Sequence, residues 1–300
     1  MGVHLVDRLL ESECSARIYD RSLNKFRAVP LGAAEYIEGQ LGDYELIREA
    51  VEGVEVVYHF VSTTVPSNSN DDPIYDVRSN VIDTIQLLKS CVEFGVHKVI
   101  FASSAAVYGL PEALPIPEEH PTNPISSYGI AKLAIEKYLE LFRHLYGLDY
   151  LALRISNLYG PYQNPMGHQG VIGMFLHHVH KGESLTVWGD GSTLRDYLYI
   201  SDVVDALERA AKIDSQERVL NVGSGRGTSL NELLQLIAGI VGLHPTVEYL
   251  PARAADIPAS VLDISRARAE LDWSPKTEVA EGVPITWDWI RTLTESKLKS

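Results

Sequence analysis

Three side chains near the middle of the chain have the types and spacing needed for proton transfer. Tyr128 and Lys132 are four positions apart in SSYGIAKLAIEKY, and Ser104 ends the apolar run HKVIFASS some two dozen residues earlier. Positions i and i+4 share one face of a helix, so the phenol and the ammonium group face the same way. A nearby positive charge favours the phenolate, and we expect it to lower the tyrosine pKa from about 10. The pattern predicts that these residues hold and deprotonate an alcohol.

These residues need a scaffold that brings them together, and the chain predicts a parallel sheet. Strand-like and helix-like runs alternate through the first half, which is typical of βαβ units. In such a sheet, ligands bind beyond the carboxyl ends of the strands. The predicted fold class is α/β, a Rossmann-type doubly wound parallel sheet. The strand-like runs are SARIYD, VEVVYHF, HKVIFASS and DYLALRIS, and the helix-like runs are MGVHLVDRLLE, DYELIREAVEG, YDVRSNVIDTIQLLKSCVEFG and SSYGIAKLAIEKYLELFRHLYG.

The alternation becomes irregular at YGPYQNPMGHQG, which is rich in Gly, Pro and Asn. One further helix, SDVVDALERAAK, and one further strand, ERVLNVGS, are predicted to return to the sheet. We therefore predict a nucleotide-binding domain from residues 1–165 and 199–225. Residues 166–198 and 226–300 are predicted to form a smaller α+β domain for the substrate.

The net charge, the apolar runs and the cysteine count limit which classes of binding partner the protein can have. A formal net charge of −14 argues against a nucleic-acid or anionic membrane partner, because both need clustered Lys and Arg. No apolar run approaches the roughly 20 residues of a membrane span, and the first residues lack the layout of a signal peptide. Two cysteines, Cys14 and Cys91, are too few for a disulfide framework and lack metal-ligand spacing. We expect a cytoplasmic protein without a metal site.

A Tyr-x-x-x-Lys pair alone occurs by chance in many proteins, but here it belongs to a longer series of motifs. Together they resemble the extended short-chain dehydrogenase/reductase family, in its nucleotide-sugar epimerase branch, over essentially the whole chain. The resemblance implies NAD as cofactor, a UDP-sugar as substrate, a homodimer, and catalytic roles for Ser104, Tyr128 and Lys132. The other motifs are VYHF, LRISNLYGP, WGDGSTLRDYLYISDV, LNVGSG and DISRARAELDWSP.

The residues after the two serines indicate the reaction type within that family. Family members that remove water or carbon dioxide carry an acidic residue there, whereas this chain has Ala105 and Ala106. The resemblance therefore implies a 4-epimerase, in which Tyr128 takes the proton from the sugar O4 while C4 loses its hydride. A transient 4-keto sugar would then receive the hydride on its other face.

The resemblance also assigns the cofactor residues. Asp20 ends a strand, where a carboxylate accepts the ribose hydroxyls of NAD and repels the 2′-phosphate of NADP. Arg21 follows it and would soften that repulsion; a surface turn is the other interpretation of Asp20. The expected cofactor-binding residues are Gly2, Asp20, Gln40, Leu41, Phe60, Val61, Asn80, Ser103, Tyr128, Lys132 and Ile155.

The substrate residues follow in the same way. Arginine pairs bidentately with phosphate oxygens, so the resemblance places Arg195 and Arg253 on the diphosphate. An ion pair with Asp196 or another surface acid is the alternative for Arg195. Ser260 stands where strict UDP-glucose epimerases of the family carry a bulky tyrosine, so we expect room for an N-acetyl group. The expected substrate-binding residues are Ser104, Asn157, Val171, Thr186, Trp188, Arg195, Arg253 and Ser260.

Two other patterns are weaker. The glycines of NVGSGRGTSLNELL resemble a dinucleotide fingerprint, but a lone glycine set has little specificity. The histidines of FLHHVHKG lack a thiol or carboxylate at ligand spacing, and we interpret them as solvated helix residues.

The start of the chain departs from the family pattern. Gly2 aligns with the third glycine of the family's fingerprint, so the first strand and the first two glycines are missing. We expect a chain that begins at Met1 to bind NAD poorly and to fold marginally, because that loop supplies backbone donors to the pyrophosphate. Two alternatives stay open: another nucleotide-sugar reductase or epimerase, and a binding protein without catalysis.

Overall fold

The computed structural model describes residues 1–22, 33–166, 170–242, 244–253 and 257–293. The helices are α1 (Gly2–Glu11), α2 (Tyr44–Val51), α3 (Pro73–Asp76), α4 (Asp83–Glu93), α5 (Ser127–Tyr146), α6 (Val171–Lys181), α7 (Ile200–Lys212), α8 (Leu230–Val241), α9 (Ser265–Leu271) and α10 (Val279–Arg291). The strands are β1 (Arg17–Asp20), β2 (Glu35–Glu38), β3 (Val56–His59), β4 (Lys98–Ser104), β5 (Asp149–Ile155), β6 (Asn157–Tyr159), β7 (Leu185–Trp188), β8 (Leu194–Tyr199), β9 (Val219–Val222), β10 (Gly227–Ser229), β11 (Val247–Leu250) and β12 (Ala259–Ser260).

The parallel strands of the first predicted domain lie in two sheets. One has the order β3-β4-β5-β9 and the other pairs β1 with β2, all in parallel. A cleft of about 2220 Å³ lies between them, lined by residues of both β1 and β3. The α/β class, the four predicted strands and the return of ERVLNVGS to the sheet are confirmed. The strand β2 is an element that we did not predict.

The strands β4 and β5 form the centre of the core. Their side chains are buried almost without interruption, as expected for inner strands covered by helices on both faces. Helix α5 packs on them; it begins where the Ser126 side chain accepts from the amide of Gly129. It ends at Gly147, whose φ of 73° lies in the left-handed region. These two caps fix the position of Tyr128 in the first turn.

The helix predicted from Tyr75 to Gly95 is not one regular helix. Its middle, Val77–Ile82, is π-helical and lies between α3 and α4. Polar side chains bond there to carbonyls one turn earlier: Ser79 Oγ to Tyr75 O and Asn80 Nδ2 to the carbonyl oxygen of residue 76. Such bonds compete with the regular helical pattern, which explains the local widening.

The second region is built around β8. This strand pairs with β6 and β12 in parallel and with β10 in antiparallel orientation, while β7 pairs separately with β11. Both regions contribute to one large buried apolar cluster. No helix among the described residues is long and apolar enough to cross a membrane.

Candidate active site

The predicted catalytic residues converge at the carboxyl end of β4. Ser104 is its last residue, and its Oγ accepts from the amide of Ala106 at 3.2 Å. Tyr128, in the first turn of α5, is hydrogen-bonded to the Ser104 side chain. Lys132 is buried one turn later, with Nζ 5.7 Å from the centre of the Tyr128 ring. The structure therefore brings all three side chains together.

The ionisation of the pair differs from the expectation. Burial lowers the pKa of Lys132 to about 8, although Asp76 and Glu136 act to raise it. The pKa of Tyr128 is raised, not lowered, because burial and the charge of Asp76 outweigh the hydrogen bond from Ser104. Lys132 Nζ donates to the carbonyl of Ala102 at 2.8 Å. The expected lowering of the tyrosine pKa is therefore wrong, because burial dominates the pKa of Tyr128.

A buried ion pair holds the helix that carries the catalytic pair. Arg154 on β5 meets Glu136 on α5 with two hydrogen bonds, Nη2 to Oε2 at 2.7 Å and Nε to Oε1 at 3.1 Å. Ser103 Oγ donates to the same carboxylate, so this predicted cofactor residue faces Glu136. Although burial opposes it, the bond to Glu136 raises the pKa of Arg154. The ion pair thus joins β5 to α5 one helical turn after Lys132.

Most of the predicted cofactor residues line the cleft between the two sheets. They lie at the start of α1, at the end of β1 and shortly after β2 and β3, where parallel sheets bind dinucleotides. The Asp20 carboxylate accepts from the amide of Ser22 at 3.1 Å and lies at the cleft. These cofactor residues are Gly2, Asp20, Gln40, Leu41, Phe60 and Val61.

Two other predicted cofactor residues occupy different places. Asn80 is buried, with its Oδ1 accepting from the amide of Thr63, and it lines a narrow pocket with Val61, Tyr128 and Lys132. Ile155, at the end of β5, is buried in the large apolar cluster and does not line either pocket.

Strand β8 assembles one group of predicted substrate residues. Arg195 lies opposite Ser260 of β12, and Asn157 of β6 lies opposite Tyr197, two positions along the same strand. Side chains alternate along a strand, so Arg195 and Asp196 point to opposite faces. Asp196 is fully buried and accepts hydrogen bonds from neighbouring loops, and the ion pairs of the described residues do not include one between Arg195 and Asp196.

A second group lies on and beside β7. Thr186 and Trp188 are two positions apart on that strand, and the guanidinium of Arg253 lies 5.2 Å from the centre of the Trp188 ring. Trp188 is exposed, as a stacking surface for a planar base would need. Val171, the first residue of α6, packs partly buried against the large apolar cluster.

Three acidic residues that position the substrate and catalytic side chains were not predicted from the sequence: Asp196, Asp76 and Glu136. Asp196 accepts from the amides of Ser224, Gly225 and Leu262 and from the hydroxyl of Ser156. Asp76 and Glu136 have similar positions near the catalytic pair. A signal existed for Glu136 alone, since it lies four positions after Lys132 on the buried face of the helix.

The glycine segment NVGSGRGTSLNELL and the histidines of FLHHVHKG have structural roles. A Cβ on Gly223 would lie 2.5 Å from the Asp196 carboxylate, so the glycine segment wraps this acid. His178 pairs with Glu183 at 2.7 Å, but His177 is buried, which corrects our interpretation of it as solvated. The described residues contain no group of three or more His, Cys, Asp or Glu arranged to hold a metal ion.

Comparison with known proteins relates this geometry to a family. The model of the NAD dependent epimerase/dehydratase family matches residues 1–223. A UDP-glucose 4-epimerase of Mycolicibacterium smegmatis is 38% identical over 299 residues, covering 97% of this chain and 95% of that protein.

Two solved structures are also similar to this chain. The UDP-glucose 4-epimerase of Thermotoga maritima, solved with UDP-glucose, matches with a TM-score of 0.92 at 35% identity, covering 97% of this chain and 95% of that one. A UDP-N-acetylglucosamine 4-epimerase of Methanobrevibacter ruminantium, solved with UDP-N-acetylmuramic acid, matches with a TM-score of 0.91 at 28% identity, covering 97% and 94%.

Proposed function

The chain belongs to the NAD dependent epimerase/dehydratase family, and we propose that it interconverts the C4 epimers of UDP-hexoses, with UDP-GlcNAc and UDP-GalNAc among them. It is an NAD-dependent UDP-sugar epimerase, as its similarity to the enzymes of M. smegmatis and T. maritima indicates. The finer proposal rests on the arrangement of Ser104, Tyr128 and Lys132 beside two alanines.

The residues around the catalytic pair favour epimerisation over elimination. Ala105 and Ala106 form the short turn that follows Ser104 and present no acid or base to the pocket. Removal of water or carbon dioxide needs such a group, whereas epimerisation needs only one proton acceptor and donor at O4. Tyr128 can fill both roles, because the same proton leaves O4 and later returns to it.

Each catalytic side chain has a distinct task. Ser104 donates to the sugar O4 and to the phenol in turn, which keeps the two oxygens within hydrogen-bonding reach. Lys132 supplies positive charge beneath the phenol and thereby stabilises the phenolate once O4 binds. Bound NAD supplies the acceptor and donor of the C4 hydride. The sugar passes through a transient 4-keto state, in which its other face turns toward the hydride donor.

The substrate groups divide between the two strands of the second region. We infer that Arg195 and Asn157 bind the diphosphate, since a guanidinium matches the geometry of phosphate oxygens. Thr186 and Trp188 would bind the uracil, beside the Arg253 guanidinium that stacks on the indole. This division leaves the hexose between Arg195 and Tyr128.

Ser260 supports the inclusion of N-acetylated sugars. It pairs with Arg195 across β8 and β12 and is partly exposed, so its side chain borders the space beside the diphosphate residues. A serine occupies much less of that space than a tyrosine does. The similarity to a UDP-N-acetylglucosamine 4-epimerase supports the same proposal.

The test is conversion of UDP-GlcNAc to UDP-GalNAc by the purified chain with added NAD, followed by chromatography. We expect turnover of both the acetylated and the unacetylated pairs. Ser260→Tyr should reduce kcat/KM on the acetylated pair by about tenfold or more while retaining UDP-galactose turnover. Tyr128→Phe should lower kcat on every substrate by about 10³-fold.

Each outcome bears on one part of the proposal. Turnover of UDP-galactose alone contradicts the acetylated substrates and leaves the 4-epimerase. If NAD binds and no UDP-sugar is converted, the epimerase proposal is wrong and a binding protein is favoured. Accumulation of NADH with substrate would indicate a different reaction of the same family.

The homodimer and the cytoplasmic location remain proposals. Exposed apolar side chains on α5 are in keeping with a partner helix against this face, as the sequence resemblance implies. They are Ile130, Leu141, Leu145 and Tyr146. The free thiols of Cys14 and Cys91 are in keeping with a reducing compartment.

A further inference from the structure

Asp76, the last residue of α3, is a fully buried carboxylate beside the catalytic pair. Its Oδ1 accepts from Asn80 Nδ2 at 2.8 Å and from the hydroxyl of Thr64. Its Oδ2 accepts from Ser127 Oγ at 2.6 Å. Asp76 therefore ties the loop after β3 and the π-helical segment to the first residue of α5, immediately before Tyr128.

The donors to Asp76 are all neutral, although a buried charge needs compensation. Among the described ion pairs none involves Asp76. Two sources of positive potential lie beside it: the N-terminus of the 20-residue helix α5 and the ammonium of Lys132. Asp76 and Lys132 line the same narrow pocket, together with Tyr128 and Asn80.

We propose that Asp76 is a positioning residue for the catalytic pair: it fixes the first turn of α5 through Ser127 and its charge keeps Lys132 cationic. The inference rests on the proposed function, because it assigns a role in the same proton transfer. It also explains the hydroxyl-rich segment HFVSTTVP, since Thr64 supplies one of the three donors to the carboxylate.

The charged surroundings of Lys132 determine the sign of the effect. Asp76 of α3 and Glu136 of α5 act to raise its pKa against burial, and Glu136 is already neutralised by Arg154. His59 of β3 has a pKa lowered to about 3 by burial and by Lys132, so it carries no charge near neutrality. Of the two acids near Lys132, Asp76 is thus the one that forms no ion pair with another Arg or Lys among the described residues.

Asp76 acts on both members of the pair in the same direction. Its charge raises the pKa of Tyr128 as well as that of Lys132. Removing the charge while keeping the shape, as in Asp76→Asn, should lower both. Whichever of the two groups controls a limb of the kcat profile, both limbs should therefore move to lower pH.

Ser127→Ala is the matched control, because it removes the hydrogen bond to Oδ2 and leaves the carboxylate in place. We expect it to lower thermal stability while both limbs of the profile keep their positions. Displacement of the limbs in Ser127→Ala by as much as in Asp76→Asn would overturn the effect of the Asp76 charge on Lys132, since it would assign the whole displacement to the position of the helix. If Asp76→Asn does not fold, Asp76→Ser removes the same charge with a smaller side chain.

A direct titration separates this inference from the proposed function. In protein labelled with [¹³C]lysine, the Cε resonance that Lys132→Arg removes reports the titration of Lys132. We expect a midpoint near 8 in the NAD-free chain and a lower one in Asp76→Asn. If the chain converts no UDP-sugar, the proposed function fails, but these two midpoints still decide the role of Asp76. Equal midpoints would overturn it.

Discussion

Two arginine–glutamate pairs, each with two hydrogen bonds, lie in the two halves of the first predicted domain. Arg154 and Glu136 join β5 to α5 beneath the catalytic pair, and their side chains are 6% and 4% exposed. Arg48 and Glu93 join α2 to α4 at the outside, and their side chains are 41% and 47% exposed. The same chemistry therefore operates in two different dielectric surroundings.

The difference extends to the strands on either side of the cleft. The half that holds the catalytic pair rests on β4 and β5, which are buried along nearly their whole length. The half that ends at Asp20 has a small apolar cluster in which Val6 and Ile18 are the buried members. The proposed catalytic pair is thus held by a deep core, whereas the Asp20 side of the cleft rests on a thin apolar layer.

The largest effect is expected from breaking the buried pair. Arg154→Met leaves the Glu136 carboxylate buried without its cation, which should cost about 3–5 kcal/mol of unfolding free energy. Denaturant titration measures this loss. The double variant Arg154→Met, Glu136→Leu should recover most of it, because apolar residues of similar volume replace both charges. If Arg154→Met loses less than about 1 kcal/mol of unfolding free energy, burial does not make this ion pair stronger than an exposed one.

A smaller effect is expected at the adenosine side, and on binding instead of folding. Asp20→Ala removes the acceptor for the ribose hydroxyls and should weaken NAD binding about tenfold, or about 1.4 kcal/mol. Calorimetric titration measures the change. Glu38→Ala, at the corresponding end of β2, is the control and should leave NAD affinity unchanged. Equal losses in both variants would mean that Asp20 acts through general charge and not through contact.

The comparison also shows what the sequence could reveal. The catalytic pair and its helix follow from local signals: the i, i+4 spacing of Tyr128 and Lys132 and the cap at Ser126. The direction of Lys132 Nζ toward Ala102 does not, because the nearest carbonyl comes from a strand 30 residues away. The sign of the Tyr128 pKa shift does not either, because it depends on burial that only the folded chain creates.

Other features were missed for related reasons. The strand EYIE contains two glutamates and only four residues, and its pairing with β1 is a long-range event. Asp76 and Asp196 look like surface acids in the sequence, because nothing local shows that donors from other segments reach them: Thr64 and Ser127 at Asp76, and Ser224 and Leu262 among others at Asp196. Buried polar hubs of this kind become visible only when the segments that donate to them have been placed.

The smallest effect is expected from the exposed pair. Arg48→Met keeps an apolar stem and removes the guanidinium contacts with Glu93 and with the Phe94 ring. Water and counterions already screen this pair, so Tm should change by less than about 2 °C. Scanning calorimetry at about 0.05 M and about 1 M salt measures it, and the small difference from the parent chain should disappear at high salt. A loss as large as that of Arg154→Met, and equally large at high salt, would show that geometry and not burial determines the strength of both pairs.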